Sequence, residues 1–590
     1  MTSAAGRAAH MLAQKRADAS IAALFAASVA LKLLLLPSYT STDFEVHRNW
    51  LALTNALPRH DWYHERTSEW TLDYPPFFAY FEYALSLVAA RVDPSMLTIS
   101  ATPIMTPSLL LFQRLSVIAS DAVLFYAIYA FCTSWPSVTT TELVFSRYKR
   151  FVIMLLTVFD AGLLYVDHIH FQYNGMLLGM LILSATKFRQ KKDLQGAFLY
   201  AVLLMLKHIY LYVALLYFVY LLGHHCYVKS SPSASSSPAA VSQASSENEG
   251  SGDDEEETNR RKRSISNTDM HETIQNFYDG KTTFSLFRVL RLGVLVIAVF
   301  GLAFGSILVS HPDPIAGLKQ IFSRLFPVQR GLCHAYWAPN VWALYAFADK
   351  LLVLVGFPGA TAGVALMSGG LVQEASFAIL PSIPPIVCVA LTFVTMLPVL
   401  YSVWKYPDSS LFMSALVYCM MCSFLFGYHV HEKAILQVIL PLGLMAAESV
   451  NDMRLYRFAS IISTISLFPL FFTSAEHGTK VLLAITHAVL AYVTLDPFIK
   501  HSLKTRHIKA NAVSMSGFEK LYLFALVATT CLAMAFPLLP RVGTKYPFVP
   551  LILFSVSCAV GNLYVWGMAL SQHYRKLSAV KSYLHAHKWP

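Results

Sequence analysis

Charge is scarce in this chain: of 590 residues only 13% are Asp, Glu, Lys or Arg, while 56% are apolar. That balance excludes a water-soluble protein of this length, and runs such as Ile21 to Leu36 and Val294 to Val309 point to helices that cross a bilayer. Cysteine is thin as well. Of the eight, only Cys333 falls in a loop expected on the non-cytoplasmic side, which excludes an intrachain disulfide framework across those loops. H-E-x-x-H, the P-loop and G-x-G-x-x-G are all missing, so the zinc, nucleotide and dinucleotide chemistries built on them have no motif here. No tandem repeat of fixed period is present.

What charge there is reports topology. The net charge of +11 comes from clusters at the ends of apolar runs (Arg147 to Arg150, Lys187 to Lys192, Arg260 to Arg263, Lys500 to Lys509, Arg575 to Lys588), where Lys and Arg set orientation. No folded basic domain exists to carry nucleic acid, so no nucleic-acid partner is expected. The first apolar run follows Arg7, Lys15 and Arg16 and ends without a small-residue cleavage pattern. It is expected to be an uncleaved first helix with a cytoplasmic N-terminus.

With the basic clusters in the cytosol, the pattern predicts an all-α polytopic membrane protein of about 14 transmembrane helices with both termini cytoplasmic. The spans are 20–37, 108–132, 150–166, 173–187, 194–207, 208–223, 287–310, 384–404, 409–427, 433–449, 456–474, 479–498, 518–540 and 547–571. Charge placement requires the run Phe198 to Leu222 to be two short helices meeting at Lys207-His208. It also puts Phe77 to Ala90 and Val341 to Val355 outside the crossing set. The domains read as an N-terminal membrane module, 1–223, with a first luminal loop, 38–107; a cytosolic loop, 224–286; and a C-terminal module, 287–590, with a second loop, 311–383. Ser230 to Thr282 is Ser-rich, then acidic, then basic, with too few apolar residues to bury a core, so disorder is expected there.

Polar residues gather on one side of this arrangement. Thr42 to Trp50 reads T-D-F-E-V-H-R-N-W, and a helix from Thr42 would set Asp43, His47 and Trp50 on one face. The same side receives Asp167 to Asn174, Lys207-His208, His311 to Pro339 and Gly427 to Lys433. Polar residues at membrane depth are costly, so their convergence marks a shared site. A carboxylate at the membrane surface with cations opposite it and aromatics around it suits glycosyl transfer from a lipid phosphate. The phosphate is already a competent leaving group, one carboxylate suffices to take the acceptor hydroxyl proton, and Arg, Lys or His offset the charge on the departing phosphate. Asp43 is the first candidate base, with Glu45 and Asp73 as alternatives. Lys32, inside the first helix, is expected to snorkel to the surface. Asp167, His168 and His170 could ligate a metal by residue type, but D-x-x-H spacing at a helix end is nonspecific and no metal is expected.

Six motifs, T-D-F-E-V-H-R-N-W, S-E-W-T-L-D-Y-P-P, V-D-H-I-H-F-Q-Y-N-G, K-H-I-Y-L-Y-V, F-S-R-L-F-P-V-Q-R-G-L-C-H-A-Y-W-A-P-N and G-Y-H-V-H-E-K-A-I-L, occur in this order. In them the chain resembles the endoplasmic-reticulum glucosyltransferases of the GT-C superfamily that use dolichyl phosphate glucose. C-H-A-Y-W-A-P-N and H-V-H-E-K-A-I-L look more like the member that adds the second glucose than the sister that adds the first, where F-E-D-K-V-A-N-F-W is typical. The resemblance implies a GT-C-type bundle in the endoplasmic-reticulum membrane with its active site on luminal loops and no cofactor. The donor would be dolichyl phosphate glucose and the acceptor a dolichyl-diphosphate oligosaccharide carrying nine mannoses and one glucose, extended by an inverting α1,3 transfer. It aligns Asp43 with the family base and His431 with its phosphate-contacting histidine. Arg330 and Lys433 are further candidates for the donor phosphate, with Arg324 a weaker one. Glu45, His47, Arg48, His168, His170 and Trp337 are candidates to orient the acceptor or the base. The alternatives are the sister enzyme and, from another class, a lipid-linked-sugar transporter, which would show inverted repeats that this sequence lacks. A protein O-mannosyltransferase would carry a paired-acid signature in place of D-F-E-V-H-R.

Overall fold

A polar backbone cannot cross a bilayer unless its own hydrogen bonds are closed, and this chain closes them in helices. The computed structural model describes residues 20–134, 140–229, 282–326, 331–333, 338–358, 377–471, 473–506, 515–539 and 541–586. Each span expected from the sequence has a helical counterpart in it. Among the described residues eight helices are long and apolar enough to cross a membrane, and Ser20–Leu34, Asp193–Leu206 and His208–His224 are shorter apolar helices. The three remaining spans correspond to Asn174–Arg189, Leu436–Met445 and Val450–Ser466.

Burial sorts these helices into an interior and a rim. The apolar stretch of Ser409–Phe426 is 89% buried and that of Leu286–Leu308 only 11%, so the first is a central post and the second faces outward along most of its length. Cys419 and Cys422 lie on that post. Contrary to the expectation that the chain has no C-x-x-C, these two cysteines form one, and both are free and buried, with Trp566 donating its indole N–H to Cys422 Sγ at 3.3 Å.

The break expected at Lys207-His208 is present. Asp193–Leu206 ends at Lys207, whose backbone is extended (φ −151°, ψ 115°), and a 3-10 turn over His208–Val213 restarts the chain as Ala214–His224. The expected surface segment is the helix Pro76–Val92, and Val341–Leu354 is a helix capped by Asn340. Lys32 departs from expectation. It does not snorkel but lies buried, its Nζ 2.7 Å from Asp121 Oδ2, because an acid on the helix Pro107–Thr133 offers a nearer partner than water.

Two helices run from the polar end of the bundle to the other. Asn174–Arg189 and Leu436–Met445 both begin beside the polar loops, and beyond their far ends Arg189 meets Glu448 at 3.4 Å. Lys576, on the last helix, joins that pair through Glu448 at 2.7 Å and Asp452 at 3.4 Å. This anchor fixes the helices that deliver two of the polar motifs.

Most of the segment expected to be disordered, 230–281, lies outside the described residues, but its flanks are paired. Tyr227–Lys229 and Thr282–Phe284 form an antiparallel ribbon in which Lys229 faces Thr282, and Ser285 N–H donates to Cys226 O at 2.8 Å. A two-residue turn can close such a register. Replacing residues 230–281 by Asn-Gly is therefore expected to leave folded yield and thermal midpoint in detergent near those of the intact chain; loss of the folded fraction would show that the segment supports the bundle.

Candidate active site

The helix Thr42–Ala56 starts where the first membrane helix leaves the bilayer, so its first turn is held at the membrane edge. Ser41 precedes it and donates its hydroxyl to the His170 carbonyl, which locks the start of this helix to a segment 129 residues away. Asp43 follows. Its Oδ2 accepts from Lys433 Nζ at 2.6 Å and Gln172 Nε2 at 2.7 Å, with His170 Nε2 at 3.3 Å. All three fall on Oδ2, which leaves Oδ1 for another partner. The side chain of Asp43 is 22% exposed and that of Lys433 6%, so the carboxylate is the accessible member of the pair. Burial pushes the Asp43 carboxyl up, but the charge of Lys433 holds it well below the usual carboxylate range.

His170 and Gln172 come from a strained turn. Leu164–Phe171 is wound as a π-helix and ends at Phe171 with φ of 88°, a left-handed conformation that a bulky residue adopts only when its surroundings impose it. Arg114 imposes it. Its guanidinium donates to the carbonyls of His168 at 2.7 Å, Ile169 at 2.9 Å and Tyr39 at 2.9 Å, satisfying acceptors that the end of a helix leaves without partners. Asp167 then reverses the chain by accepting from Gly175 N–H at 2.6 Å and Asn174 Nδ2 at 2.9 Å. A Cβ at Gly175 would stand 2.3 Å from Asp121 Oδ1, so only glycine fits there.

The polar chain continues from Asp43 in both directions. Gln172 Oε1 accepts from Asn174 Nδ2 at 2.8 Å, and Asn174 Oδ1 accepts from Lys207 Nζ at 3.1 Å, while Lys207 lies 5.1 Å over the ring of Tyr74. On the other side Lys433 Nζ also donates to His170 Nε2 at 3.0 Å. Beside it His431 Nδ1 is 2.9 Å from Glu432 Oε2, and burial, reinforced by the charge of Lys433, holds the His431 imidazole well below its usual pKa and therefore neutral. His429 N–H donates to Leu332 O at 3.0 Å, and Trp342 Nε1 donates to Gly427 O at 2.8 Å, so the segment around 331–342 braces the 427–433 loop. The six motifs thus meet.

They do not all meet at Asp43. Arg48 binds Glu45 Oε1 through Nε at 2.9 Å and NH2 at 2.5 Å, and its NH1 takes Thr98 O at 2.5 Å, so this pair fastens the loop before Pro107 and leaves no carboxylate for chemistry. His47 turns to Glu82 at 2.6 Å and packs on Trp50, 5.0 Å between ring centres, and so does not orient Asp43. His168 Nε2 is 2.8 Å from Asp121 Oδ2, joining Lys32 in a buried triad. Arg324 holds the Tyr63 carbonyl at 3.1 Å and Thr71 Oγ1 at 3.0 Å and serves as a strut. Arg330 and Trp337 lie outside the described residues. Of the orienting candidates that are described, His170 alone stands beside Asp43. Gln172 and Asn174, quoted only as motif letters above, and Tyr39 are the additions. Their signal was adjacency to His170 and to the first loop.

Among the described residues no three His, Cys, Asp or Glu side chains are placed to hold a metal ion. What the arrangement offers is one accessible carboxylate with an ammonium and a neutral imidazole beside it. These groups can move a proton and hold an anion.

Comparison with known proteins agrees with this chemistry. The chain is 41% identical over 543 residues to the mouse dolichyl pyrophosphate Glc1Man9GlcNAc2 alpha-1,3-glucosyltransferase, covering 91% of this chain and 92% of the mouse protein. It is 39% identical over 552 residues to the Arabidopsis thaliana protein of that name, covering 92% and 95%. A Drosophila melanogaster protein named as a probable enzyme of this kind is 37% identical over 543 residues, covering 92% of each chain. The family model for the ALG6, ALG8 glycosyltransferase family matches residues 28–569, a stretch that includes every element of the site just described, and the chain belongs to that family.

Proposed function

We propose that this glucosyltransferase moves glucose from dolichyl phosphate β-D-glucose to the terminal glucose of the monoglucosylated, nine-mannose dolichyl-diphosphate oligosaccharide. The linkage formed is α1,3, and the reaction takes place on the luminal side of the endoplasmic-reticulum membrane. The observation that carries the reading is the placement of Asp43, whose side chain is partly exposed, against Lys433 and beside His431 at one end of a membrane bundle. The names of the relatives support the acceptor.

In one displacement the acceptor oxygen gives its proton to Asp43 and attacks C1 of the donor glucose from the face opposite the phosphate. The C1–O bond breaks with its electron pair on the phosphate, and the anomeric configuration inverts. Lys433 offsets the new charge, with His431 as a hydrogen-bond partner and Arg330 as a further candidate. No acid is needed, because the phosphate leaves as a stable anion.

Asp43→Asn keeps the shape and removes the basicity, so transfer is expected to fall by a factor of ~10² to 10⁴ in microsomes while the protein still accumulates. Arg48→Met should behave oppositely. It leaves Glu45 buried without its partner, a loss of about 3–5 kcal/mol, and should show as reduced thermal stability. Near-normal turnover by a well-folded Asp43→Asn would move the base elsewhere.

A site built to hydrogen-bond the terminal glucose rejects an acceptor without it, because its polar groups are left unpaired. Reconstituted protein is therefore expected to glucosylate the one-glucose lipid and to leave the unglucosylated nine-mannose lipid unchanged. Transfer to the latter would make this the sister activity. Because side chains neutralise a monophosphate leaving group here, EDTA should not lower the rate; loss restored by manganese or magnesium would overturn that arrangement.

A further inference from the structure

Direct contact between Asp43 and Lys433 poses a problem for the reaction above. A base and a phosphate-binding cation must stand on opposite sides of C1, yet here they are 2.6 Å apart. The donor has to part them.

We propose that Lys433, His170 and Tyr39 form a donor-operated switch on Asp43. Lys433 keeps Asp43 a poor base in the empty enzyme, and its departure to the donor phosphate leaves Asp43 facing the unprotonated nitrogen of His170, which makes it a strong one. The proposal rests on Asp43 being the base and adds how that base is turned on.

The tautomer of His170 follows from Tyr39. Tyr39 has one hydroxyl proton, and it is donated to the carbonyl of Leu470. Its oxygen stands 2.9 Å from His170 Nδ1 and can serve that nitrogen only as an acceptor, so Nδ1 carries the ring hydrogen. Nε2 is left with a lone pair. Lys433 Nζ donates to that lone pair at 3.0 Å and to Asp43 Oδ2 at 2.6 Å, bridging two acceptors that stand 3.3 Å apart and cannot bond each other.

Removing the bridge changes the balance. Asp43 Oδ2 and His170 Nε2 then confront each other as two electron-rich atoms, and a proton held between them relieves the repulsion, so the proton affinity of the pair rises. The acceptor hydroxyl supplies it as its oxygen bonds C1. The electron pair of the broken C1–O bond goes to the phosphate that has taken Lys433.

The other groups around Asp43 do not undo this. Gln172 continues to donate to Oδ2, and Lys207, hydrogen-bonded into that chain through Asn174, acts on Asp43 by its charge equally with and without Lys433 in place. His431 and Glu432 lie on the Lys433 side, next to it in the chain, while Tyr74 faces Lys207. His170 is thus a positioning residue. It sets the proton affinity of Asp43 without touching the sugar.

The test is the pH dependence of the purified full-length chain in lipid nanodiscs with dolichyl phosphate glucose and the one-glucose acceptor. At saturating acceptor, kcat/KM for the donor reports Asp43 in the donor-free enzyme and kcat reports it with donor bound. The donor is a phosphodiester and does not titrate in this range. The acid limb of kcat is expected at least about one pH unit above that of kcat/KM, corresponding to a tenfold rise in the proton affinity of the base.

Tyr39→Phe removes the acceptor for Nδ1–H, so His170 can carry its hydrogen on Nε2 and donate it to Asp43. Its kcat is expected to fall about tenfold, its acid limb to move back toward that of kcat/KM, and KM for the donor to stay within about twofold. Coincident limbs in the unaltered enzyme would overturn the switch, as would a Tyr39→Phe variant with unchanged kcat and limb. An inactive Asp43→Asn alongside either result would leave the base assignment standing while the switch falls; an active Asp43→Asn would sink both.

Discussion

A single contact, Lys433 Nζ to Asp43 Oδ2, joins parts of the chain 390 residues apart and decides what the surrounding loops must do. At an effective dielectric of 20 such a pair gains on the order of 5 kcal/mol, while each partly buried ion gives up several kcal/mol of hydration. The net is near zero. The pair is therefore no stability device, and it persists because Gln172 and His170 complete its hydrogen bonds and Asp43 keeps an opening to solvent. An interaction so balanced can be exchanged for another anion at small cost. A stronger pair would lock the base; a weaker one would leave a charged lysine in the site without a partner.

The deeper polar layers follow from that requirement. A π-helical turn places His170, and the carbonyls it exposes need donors where no water reaches them. Arg114 supplies three hydrogen bonds from one side chain, which a lysine could not do in that plane. Below it Lys32 and His168 share Asp121, and Gly175 is small because the Asp121 carboxylate occupies the space its side chain would need. Each step away from Asp43 is another buried charged or polar group placed against a neighbour of complementary charge or hydrogen-bonding type. The anchor of Arg189, Glu448 and Lys576 at the far end keeps the two helices that carry Asn174 and Lys433 in register with each other.

Much of this was legible in the sequence, for identifiable reasons. Apolar runs and basic flanks place the membrane helices, and charge parity alone located the break at Lys207, since one continuous helix would have put a basic cluster on the wrong side. Asp43 stood out because a carboxylate just past a membrane helix has few structural excuses. Periodicity failed where the partner came from elsewhere in the chain. His47 lies one turn from Asp43, but Glu82, 35 residues on, claims it. Glu45 and Arg48 looked like a catalytic set and are a strut, because i,i+3 spacing favours their own pairing over any contact across the site. Lys32 was read as surface-seeking because nothing local reveals that Asp121 faces it. The motif V-D-H-I-H-F-Q-Y-N-G reads as a unit in the sequence, but which of its letters touch Asp43 depends on the positive φ of Phe171, which no pattern announces.

The position of the carboxylate also bears on why such a site avoids wasting its donor. A free aspartate at a membrane surface would activate water as readily as a sugar hydroxyl. Here the side chain is partly exposed, and its Oδ2 is held by Lys433 and Gln172. An electron-poor carboxylate of that kind takes few protons from anything. In the proposed switch only a phosphate that draws Lys433 aside releases it, and that phosphate arrives with its glucose. The base gains its strength when the atom to be attacked is in place. Water exclusion then falls to the acceptor, whose terminal glucose must cover the Asp43 carboxylate for transfer to prevail over hydrolysis.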